Sequence, residues 1–317
     1  MNNRYDRQTI LISTSGQKKL AKATIAVVGI GAVGTVVSEI LTRAGVGKII
    51  LIDRDIVEIS NLQRQSLFTE EDLHVPKALC AKEKLAKINA DISISAESID
   101  LTYENITMLK TEYKPDIIVD CTDSLNTRFL LNDFCMQQKI PLIHGAAVGT
   151  TGNIFVIKEN ACLRCFLSEK QAEGTCDTIG VLGTITHLIG TLQANEVLKL
   201  ILGKPYETSF LRINVETNTF DKLSIAKNVK CPTHNKKYEY LLGKEVSLLK
   251  LCGTNQYQLR TKKAYRVLKK QLAKHAKRST TEFLQLPNLT LFKDGRVLVH
   301  AESEKEARII FSKYIGN

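Results

Sequence analysis

The sequence lacks the long apolar segments that direct a chain to a membrane or hold it there. Its first residues, MNNRYDRQTI, contain no apolar stretch of the kind that a secretory signal needs, so we expect a cytoplasmic protein. The longest stretch without a charged residue, 178–195, approaches the length of a membrane span, but three glycines, His187, Gln193 and Asn195 would be costly in lipid. We interpret it as a buried helix of the core or of an interface, and we expect no membrane partner.

Net charge is absent from most of the chain. Residues 236–317 hold 18 of the 44 Lys and Arg but only 7 of the 33 Asp and Glu, so the whole formal charge of +11 lies there. A step of this size indicates two units with different surfaces. With 317 residues, 44% of them hydrophobic, the chain can form a large α/β domain, predicted over 1–240, and a small basic domain over 241–317.

Disulfide bonds are not expected in the cytoplasm, although the chain has eight cysteines. Metal binding or thiol chemistry is therefore the expected use of those cysteines that stand in motifs. Four others stand singly on apolar faces and are predicted to be core thiols: Cys80, Cys121, Cys135 and Cys252.

An apolar run, a glycine turn, a helical pattern and a second apolar run follow one another up to Asp53. The turn contains Gly29, Gly31 and Gly34 in the spacing G-x-G-x-x-G, between a predicted strand and a predicted helix. In that setting the N–H groups at the helix N-terminus hold phosphate, and an acidic residue at Asp53 meets the ribose hydroxyls. The alternative is a tight turn without a ligand. The pattern predicts a Rossmann-like, doubly wound, mostly parallel sheet.

Polar and charged residues follow the second strand in DRDIVEISNLQRQ and VPKALC. A dehydrogenase handles a diphosphate with backbone amides, whereas Arg64 and Lys77 beside the same crevice could neutralise a triphosphate. The alternative for such cations is a solvated surface, which we accept for Lys84 and Lys87. The predicted nucleotide-binding set is Gly29, Gly31, Gly34, Asp53, Asp55, Asn61, Arg64, Gln65, Lys77 and Asp123.

A third candidate strand, PDIIVD, opens onto Asp120 and Asp123 just before a predicted helix. Ligands bind at the carboxyl ends of strands in open α/β sheets. A carboxylate at that place, beside nucleotide phosphates, suits Mg²⁺. We therefore predict that Asp123 binds Mg²⁺, with capping of the following helix as the alternative.

Taken in order, the motifs of residues 4–235 resemble the ThiF/MoeB family of adenylyltransferases, which activate ubiquitin-like sulfur carriers and are related to the ubiquitin-activating enzymes. The resemblance rests on RYDRQ, GIGAVG, LIDRDIVEISNLQRQ, the PK of VPKALC, DCTDSLNTR, HGAAVGTTG, CLRC, TCDTIGVLGTITHLIGTLQANEVLKL and CPTH.

The resemblance implies adenylation of the C-terminal glycine carboxylate of a small carrier protein ending in Gly-Gly, with ATP as the donor and pyrophosphate as the product. In that reaction Asp53 would bind the ribose, Arg64 and Lys77 the phosphates, and Asp123 the Mg²⁺ ion. Arg7, of RYDRQ, would reach into the neighbouring site of a homodimer. A sulfur donor protein is a further implied partner, and the sulfur would serve thiamine, molybdopterin or tRNA thiolation.

Two positions carry open questions. Ser124 stands where many family members have asparagine after the second Asp of DCTD, so no nucleotide contact is assigned to it. Cys176 stands where a cysteine in some relatives takes over the acyl group or exchanges sulfur and in others is dispensable. A catalytic role for it would require a lowered thiol pKa, and both readings stay open.

The motif CLRC places Cys162 and Cys165 at C-x-x-C spacing, and CPTH repeats that gap with Cys231 and His234. In the relatives both halves are usually C-x-x-C. Here His234 completes a Cys₃His set, an ordinary ligand set for structural Zn²⁺. The alternatives are a redox C-x-x-C pair and a site lost by substitution. A closed zinc site would clip the region after Gly152 to the segment beyond the strands of YETSFLRINVETNTFDKLSI.

The sequence from residue 244 onward predicts a small α+β domain. Its elements are strand KEVSLLKL, helix KKAYRVLKKQLAKHAK, strands TEFLQL, LTLF and RVLVH, and helix SEKEARIIFSKYI, with a hairpin turn at Asp294-Gly295. Its charge suggests docking of an acidic carrier, although a solvated cationic face is commoner. No stacking-aromatic or recognition-helix pattern is present, so nucleic acid is not an expected partner.

Other functions remain compatible with parts of the sequence. An ATP-dependent tRNA-modifying dehydratase of the same superfamily fits the basic tail, but the zinc tetrad and Cys176 argue against it. An NAD-binding dehydrogenase would account for the glycine fingerprint alone. A catalytically silent scaffold would not need Arg64, Lys77 and Asp123.

Overall fold

The computed structural model describes residues 4–158, 161–167, 179–244, 256–261 and 263–316. Contacts divide the chain into two compact units, 1–247 and 248–317. Each unit is built around its own sheet and its own hydrophobic core. The predicted strand KEVSLLKL and the residues Cys176 and Cys252 lie outside the described part of the chain.

The sheet of the first unit is mostly parallel. Its strands lie in the order β3-β2-β1-β4-β5-β6-β7-β8, of which the first five run parallel and the last three antiparallel. Their bounds are β1 Thr24–Val28, β2 Lys48–Ile52, β3 Ser93–Glu97, β4 Ile117–Asp120, β5 Leu142–Val148, β6 Thr151–Ile157, β7 Phe210–Asn214 and β8 Thr219–Leu223.

Helices cover this sheet. In the described residues the α-helices of the first unit are α1 Asp6–Lys22, α2 Ala32–Ala44, α3 Lys77–Ile88, α4 Leu125–Gln138 and α5 Gly183–Leu202. Short turns of other helical types occur at Ile59–Asn61, Glu70–Asp72, Leu109–Tyr113, Leu163–Cys165 and Glu239–Leu242.

The central strands are apolar along their length because they are covered on both faces. In β1, the side chains of Ile25 and Val27 join one core cluster, and those of Ala26 and Val28 join the other. All four are at most 2% exposed. The predicted continuous apolar runs are thus the central strands of a doubly wound sheet.

The strand order reverses between β1 and β4, because the chain builds β2 and β3 on one side of β1 and returns to build β4 and β5 on the other. In open α/β sheets the crevice at such a switch point binds ligands at the carboxyl ends of the strands. The glycine turn follows β1 and the Asp120–Asp123 loop follows β4, so both open onto this edge.

The long uncharged stretch of the sequence contributes the first part of α5, which packs against α2. At Gly190 the two helices approach so closely that an added Cβ would lie 2.8 Å from the Cβ of Val36. This is the buried helix that the sequence predicted. In the described residues no helix is both long and apolar enough to cross a membrane.

The second unit is a five-stranded antiparallel sheet with helices. Its strand order is β10-β11-β12-β13-β9. The elements are β9 Gln256–Arg260, α6 Tyr265–Leu272, a 3₁₀ turn Ala273–His275, β10 Arg278–Ser279, β11 Phe283–Leu286, β12 Leu289–Phe292, β13 Arg296–His300 and α7 Glu304–Ile315.

The sequence predicted β11, β12, β13 and α7, and it predicted the hairpin between β12 and β13, where Gly295 adopts a φ of +83°. The cationic helix is shorter than expected, since its α-helical part begins at Tyr265 and its last turn is 3₁₀. The sequence missed β9 and the two-residue β10. The predicted class, a mostly parallel α/β unit followed by a small α+β unit, is confirmed.

Candidate nucleotide and metal sites

The glycine turn after β1 tolerates no side chain at two of its three glycines. Gly29 has a φ of +87°, and an added Cβ would lie 2.7 Å from the carbonyl oxygen of Cys121. At Gly34 an added Cβ would lie 1.9 Å from the carbonyl oxygen of Gly29. Gly31 differs, because the nearest atom to an added Cβ is Nε2 of Gln65 at 3.8 Å. The space over the first turn of α2 is therefore open, as phosphate binding at a helix N-terminus requires.

The loop of residues 58–65 borders that space. Gln65 is 3% exposed, and its Oε1 has no hydrogen-bond partner among the described residues. Asn61 is also buried, but its Oδ1 accepts from the backbone N–H of Glu58 at 3.2 Å and so closes the local turn. Gln65 is thus the side chain of this pair with hydrogen-bonding capacity to spare, while the predicted nucleotide contact of Asn61 stays a prediction.

Asp53 follows β2 and faces the glycine turn. Its carboxylate accepts hydrogen bonds from the backbone N–H groups of Ile30 and, at 2.7 Å, of Asp55. Burial, assisted by the nearby negative charge of Asp55, raises the pKa of Asp53 to about 6. Lys77 and the two backbone bonds act in the opposite direction. The carboxylate thus lies beside the glycine turn, and its predicted contact with a ribose stays a prediction.

Lys77 begins α3 with its side chain buried. Its Nζ lies 3.5 Å from Oδ2 of Asp55, and its side chain is 8% exposed. Burial lowers the pKa of Lys77, but the carboxylates of Asp55, Asp53 and Asp123 outweigh that effect, so the pKa is raised. Lys77 is therefore positively charged at neutral pH, and its charge interacts with those of Asp55, Asp53 and Asp123.

Arg54 is a second cation here, and the sequence reasoning missed it. Its guanidinium lies 3.7 Å from Asp55 and 3.4 Å from Asp100. Burial lowers its pKa, but Asp55, Asp100 and Asp123 more than offset this and raise it. The only signal in the sequence was its place between two predicted site residues, in DRD.

Arg64 is half-buried, and its Nη1 donates to the carbonyl of Ser60 at 2.9 Å. Its backbone lies beside the start of α5, since an added Cβ on Gly183 would be 3.7 Å from the Arg64 Cα. In this conformation the Arg64 side chain is held by its own loop. The predicted phosphate contact would need the guanidinium to exchange that carbonyl for a ligand oxygen.

The loop after β4 contains Asp123, for which the sequence left two roles open: binding of Mg²⁺ and capping of the following helix. Ser124, with its side chain accepting from the backbone N–H of Thr127 at 3.4 Å, is the N-cap of α4. Asp123 precedes the cap, so the alternative of a capping role for Asp123 is wrong. Its carboxylate is exposed, and its charge acts on both Arg54 and Lys77. An exposed carboxylate on this edge fits the oxygen ligation that Mg²⁺ requires.

A buried polar network supports this loop, and the sequence reasoning missed its members His144 and Arg128. Oδ1 of Asp120 accepts from the backbone N–H of Thr122 at 3.0 Å and from its hydroxyl at 2.7 Å. Oδ2 lies 2.7 Å from Nδ1 of His144, on the neighbouring strand β5. Nε of Arg128 donates to the Thr122 carbonyl at 3.2 Å. These bonds fix the backbone that presents Asp123.

Arg7 is exposed on α1. Two large apolar side chains on the same stretch are also exposed, Ile10 by 77% and Leu11 by 80%. Within one chain nothing in the described residues brings Arg7 to the nucleotide edge. Its predicted role stays a prediction, as does that of Cys176, which the structure does not describe.

The four predicted zinc ligands do come together. Sγ of Cys162 lies 3.9 Å from Sγ of Cys165 and 3.7 Å from Sγ of Cys231. Together with His234, all four ligand atoms lie within 4.8 Å of one another. A tetrahedral Zn²⁺ with Zn–S bonds of about 2.3 Å has sulfur–sulfur edges of about 3.8 Å, so the residues fit a zinc ion.

The chemistry of the donors agrees with that fit. Burial, with the neighbouring Cys165 and Cys231, raises the pKa of Cys162, as expected where thiolates crowd together without a cation. Burial and the charge of Lys227 lower the pKa of His234, which favours the neutral, ligating imidazole. Its buried Nε2 has no hydrogen-bond partner among the described residues. The core thiols Cys80, Cys121 and Cys135 are buried elsewhere, as predicted.

Known proteins resemble this chain in sequence and in fold. Residues 5–233 match the ThiF family. The chain is 35% identical to the sulfur carrier protein ThiS adenylyltransferase of Bacillus subtilis (strain 168), over the whole length of both. It is 36% identical to the protein of the same name from Escherichia coli (strain K12), over 72% of this chain and 93% of that one.

The crystal structure of E. coli MccB with ATP is similar as a fold, with a TM-score of 0.64 and 26% identity over 74% of this chain and 75% of that chain. The residues that match the ThiF family include the glycine turn, the Asp53–Lys77 region, the Asp123 loop and the three cysteines Cys162, Cys165 and Cys231, whereas His234 directly follows the last matched residue. The chain belongs to the ThiF family and is an adenylyltransferase.

Proposed function

We propose that this enzyme uses ATP to adenylate the C-terminal glycine carboxylate of a ubiquitin-fold sulfur-carrier protein ending in Gly-Gly. Three features that lie beyond the carboxyl ends of parallel strands carry the proposal: the open helix N-terminus at Gly31, the buried Lys77 paired with the partly exposed Asp55, and the exposed Asp123. Its full-length similarity to a ThiS adenylyltransferase supports the choice of carrier.

In the proposed reaction, a carboxylate oxygen of the carrier attacks the α-phosphorus of ATP. The new bond joins that oxygen to the α-phosphorus, and the bond from the α-phosphorus to the bridging oxygen of the β-phosphate breaks. Pyrophosphate leaves with the electron pair, and the carrier remains as an acyl-adenylate. The protein mainly aligns the reactants and offsets the negative charge that builds on the phosphates.

The phosphates would lie over the first turn of α2. Backbone N–H groups at that helix end support binding there, as does Gln65, whose Oε1 has no hydrogen-bond partner among the described residues. Lys77 supplies a fixed positive charge, and Arg64 a second one after it releases the Ser60 carbonyl. Asp53 would accept from the ribose hydroxyls, with Asp55 holding Lys77 in place.

Asp123 would hold Mg²⁺, which when bound neutralises phosphate charge and orients the leaving pyrophosphate. The residues around it support this assignment, because Ser124 caps α4 in its stead and Asp120 fixes the loop backbone. Asn61 and Gln65 would contact the nucleotide from the loop of residues 58–65, which borders the space at Gly31.

The Cys₃His set would bind structural Zn²⁺ through Cys162, Cys165, Cys231 and His234. Four protein ligands leave no position for a substrate, so the ion would stabilise the fold and take no part in adenylation.

A homodimer would complete the site. The exposed Ile10 and Leu11 on α1 are apolar side chains of a kind that an interface buries, and Arg7 stands beside them. In the proposed assembly Arg7 of each subunit would approach the phosphates bound by the other. Cys176 is a candidate acceptor of the acyl group: its thiolate would attack the carbonyl carbon of the acyl-adenylate, form a thioester with the carrier and release AMP. A sulfur donor protein would then act on the activated carrier.

The test is exchange of radiolabelled pyrophosphate into ATP, measured for the wild type and for Asp123→Ala with candidate ubiquitin-fold proteins that end in Gly-Gly. We expect exchange that requires a carrier and is lost in the variant. Exchange without any carrier, stimulation by tRNA in place of a carrier, or tight NAD binding with no exchange would each contradict the proposal. The carrier that supports exchange also identifies the pathway, whether thiamine, molybdopterin or tRNA thiolation.

A further inference from the structure

Two consecutive polar residues lie at the centre of the first unit, where apolar side chains are the rule. Asn132 and Asp133, both on α4, are 0% exposed. Neither residue belongs to the predicted nucleotide or metal set. Burying an amide and a carboxylate side by side is costly unless both are fully hydrogen-bonded. Their partners therefore indicate what the pair does.

Asn132 bonds to the first ligand-bearing turn. Its Oδ1 accepts from the backbone N–H of Leu163 at 2.9 Å. Leu163 lies directly after Cys162 and starts the 3₁₀ turn that ends at Cys165. This single bond fixes the turn that sets the two sulfur atoms at C-x-x-C spacing.

Asp133 bonds to the second ligand-bearing turn. Its Oδ1 accepts from the hydroxyl of Thr233 at 2.6 Å. Thr233 is 2% exposed and lies between Cys231 and His234. Asn132 adds a long contact to the same hydroxyl, with Nδ2 at 3.4 Å from it. One dipeptide therefore touches both turns, although 69 residues separate Cys162 from Cys231.

The same carboxylate also organises the surroundings of the site. Oδ2 of Asp133 accepts from the backbone N–H of Tyr240 at 3.2 Å and lies 3.5 Å from Nη1 of Arg164. Arg164 stands between the two cysteines of the first turn, and its Nη2 donates to Glu239 at 2.6 Å. The Arg164 side chain is thereby held between the carboxylates of Asp133 and Glu239.

We propose that Asn132 and Asp133 are positioning residues for the Cys₃His site, which hold its two turns in register before and after metal binds. The proposal rests on the zinc site of the proposed function. Bonds of this kind orient metal ligands in proteins, and their loss commonly weakens metal binding by about 10- to 100-fold. Since α4 begins at Leu125, directly after the Asp123 loop, the same helix joins the two sites of this unit.

The first test is Thr233→Val, which removes the hydroxyl that Asp133 accepts from and keeps the shape of the side chain. Its matched control is Thr186→Val in α5. Thr186 is also 2% exposed, and its hydroxyl donates to the carbonyl of Gly183 at 2.8 Å, within its own helix. Zinc affinity is measured by competition with a chelator of known affinity. We expect zinc binding to weaken about tenfold or more in Thr233→Val and to stay unchanged in Thr186→Val.

The second test is Asn132→Leu, with Asn89→Leu as its control. Asn89 is likewise 0% exposed, and its amide donates to the carbonyl of Thr42 at 2.8 Å. Both asparagine variants lose a buried hydrogen bond and some stability, but only Asn132→Leu should weaken zinc binding. Substitution of Co²⁺ for Zn²⁺ supplies a spectroscopic readout, because its thiolate-to-metal and ligand-field bands report the coordination geometry of folded protein.

Three outcomes are distinct. Weaker zinc binding and altered Co²⁺ bands in Thr233→Val and Asn132→Leu, with both controls like the wild type, support the proposal. The proposal is overturned if zinc affinity and Co²⁺ bands are unchanged in both Thr233→Val and Asn132→Leu, or if the control variants lose as much zinc affinity as these two. If the wild-type protein binds neither Zn²⁺ nor Co²⁺ through thiolates, the zinc site itself is overturned, and with it the positioning role of Asn132 and Asp133.

Discussion

Asp120 and His144 form a buried hydrogen bond between neighbouring parallel strands, with Oδ2 of the carboxylate 2.7 Å from Nδ1 of the imidazole. Their side chains are 0% and 2% exposed. Burial raises the pKa of Asp120, but the hydrogen bond and charge of His144, together with Arg128 and Thr122, outweigh it and hold that pKa below its usual value of 3.8. The carboxylate is therefore ionised in the folded protein at neutral pH.

The first prediction is that Asp120→Ala destabilises the protein by about 3 kcal/mol at pH 7, because it leaves a buried imidazole and the Thr122 donors without their partner. Denaturant unfolding measures the loss, and Asp116→Ala is the control. Asp116 is exposed, and among the described residues its carboxylate accepts one backbone bond, from Thr24 at 2.8 Å, so its replacement should cost less. Equal losses in the two variants would contradict the prediction.

The pH dependence of that loss follows from the direction of the shift. Since the folded pKa of Asp120 lies below 3.8, its contribution is present above that pH and is lost as the pH falls through the folded pKa. The part of the stability difference between wild type and Asp120→Ala that comes from the ionisation of Asp120 should thus be present at pH 5 and shrink in acid, within the range where both remain folded.

The second prediction concerns Asp53, whose pKa is raised to about 6. Ribose hydroxyls donate to the ionised carboxylate, so nucleotide binding should favour the charged form. ATP affinity is expected to fall below pH 6, by up to about tenfold per pH unit. Calorimetric titration between pH 5 and 8 measures the profile. In Asp53→Asn only the titration of the phosphates should remain, so a variant that keeps the full wild-type profile would exclude Asp53 as its source.

The same shift has a consequence for stability without nucleotide. Because the folded pKa of Asp53 exceeds 3.8, the folded state favours the protonated carboxyl. Its contribution to stability is fully present below 3.8 and is lost as the pH rises through about 6. Bound nucleotide should offset this loss, which thermal unfolding with and without ATP at pH 5 and pH 7.5 would show.

The third prediction is that Lys77→Met lowers pyrophosphate exchange by about 100- to 1000-fold, the usual effect of removing one charge-stabilising donor from an active site. Lys87→Met is the control, because Lys87 is an exposed lysine on the same helix α3. We expect Lys87→Met to exchange like the wild type. A similar modest effect in both variants would mean that Lys77 acts only as a structural partner of Asp55.

The fourth prediction concerns His234, the histidine of the Cys₃His set. We expect His234→Cys to keep bound zinc and His234→Ala to bind it more weakly and to unfold at a lower temperature, since a structural site with three ligands is incomplete. Metal analysis after dialysis against a chelator measures the first effect. If His234→Ala retains the zinc content and stability of the wild type, then His234 is not a ligand.

The fifth prediction tests the shared site. Arg7→Ala and Asp123→Ala are each expected to be inactive as homodimers. Co-expression should restore about a quarter of the wild-type exchange, because half of randomly mixed dimers are hybrids and each hybrid has one intact site. Absence of any recovery in dimers shown to be mixed would place Arg7 and Asp123 of one complete site within a single subunit.

The candidate sites were predictable from the sequence where residues that are close together in the chain form them. Gly29 and Gly34 occupy positions where an added Cβ meets backbone oxygen, so the spacing of glycines alone revealed the turn. The motifs CLRC and CPTH likewise predicted the candidate metal ligands, because a gap of two residues is typical of a turn that ligates a metal. Local patterns of this kind need no knowledge of which distant residues meet.

The fold was predictable for a related reason. Buried parallel strands show as continuous apolar runs, and the runs ending at Val28, Ile52 and Asp120 marked β1, β2 and β4. Short elements such as the two-residue β10 were not predicted, because so short a strand shows no alternation of apolar and polar residues. The cap of α4 was assigned to Asp123 as an alternative, and only the backbone position showed that Ser124 makes the bond.

The amino-acid sequence by itself determined the doubly wound core, the glycine turn, the motifs that bring three cysteines and a histidine together, and the family. Only the tertiary structure decided which polar groups are paired: Asp120 with His144, Asp133 with Thr233, Asn132 with the backbone of Leu163. The physical reason is that such a bond depends on two groups meeting within about 3 Å. Residues 24, 100 and 31 positions apart meet only after the sheet and α4 have brought them together.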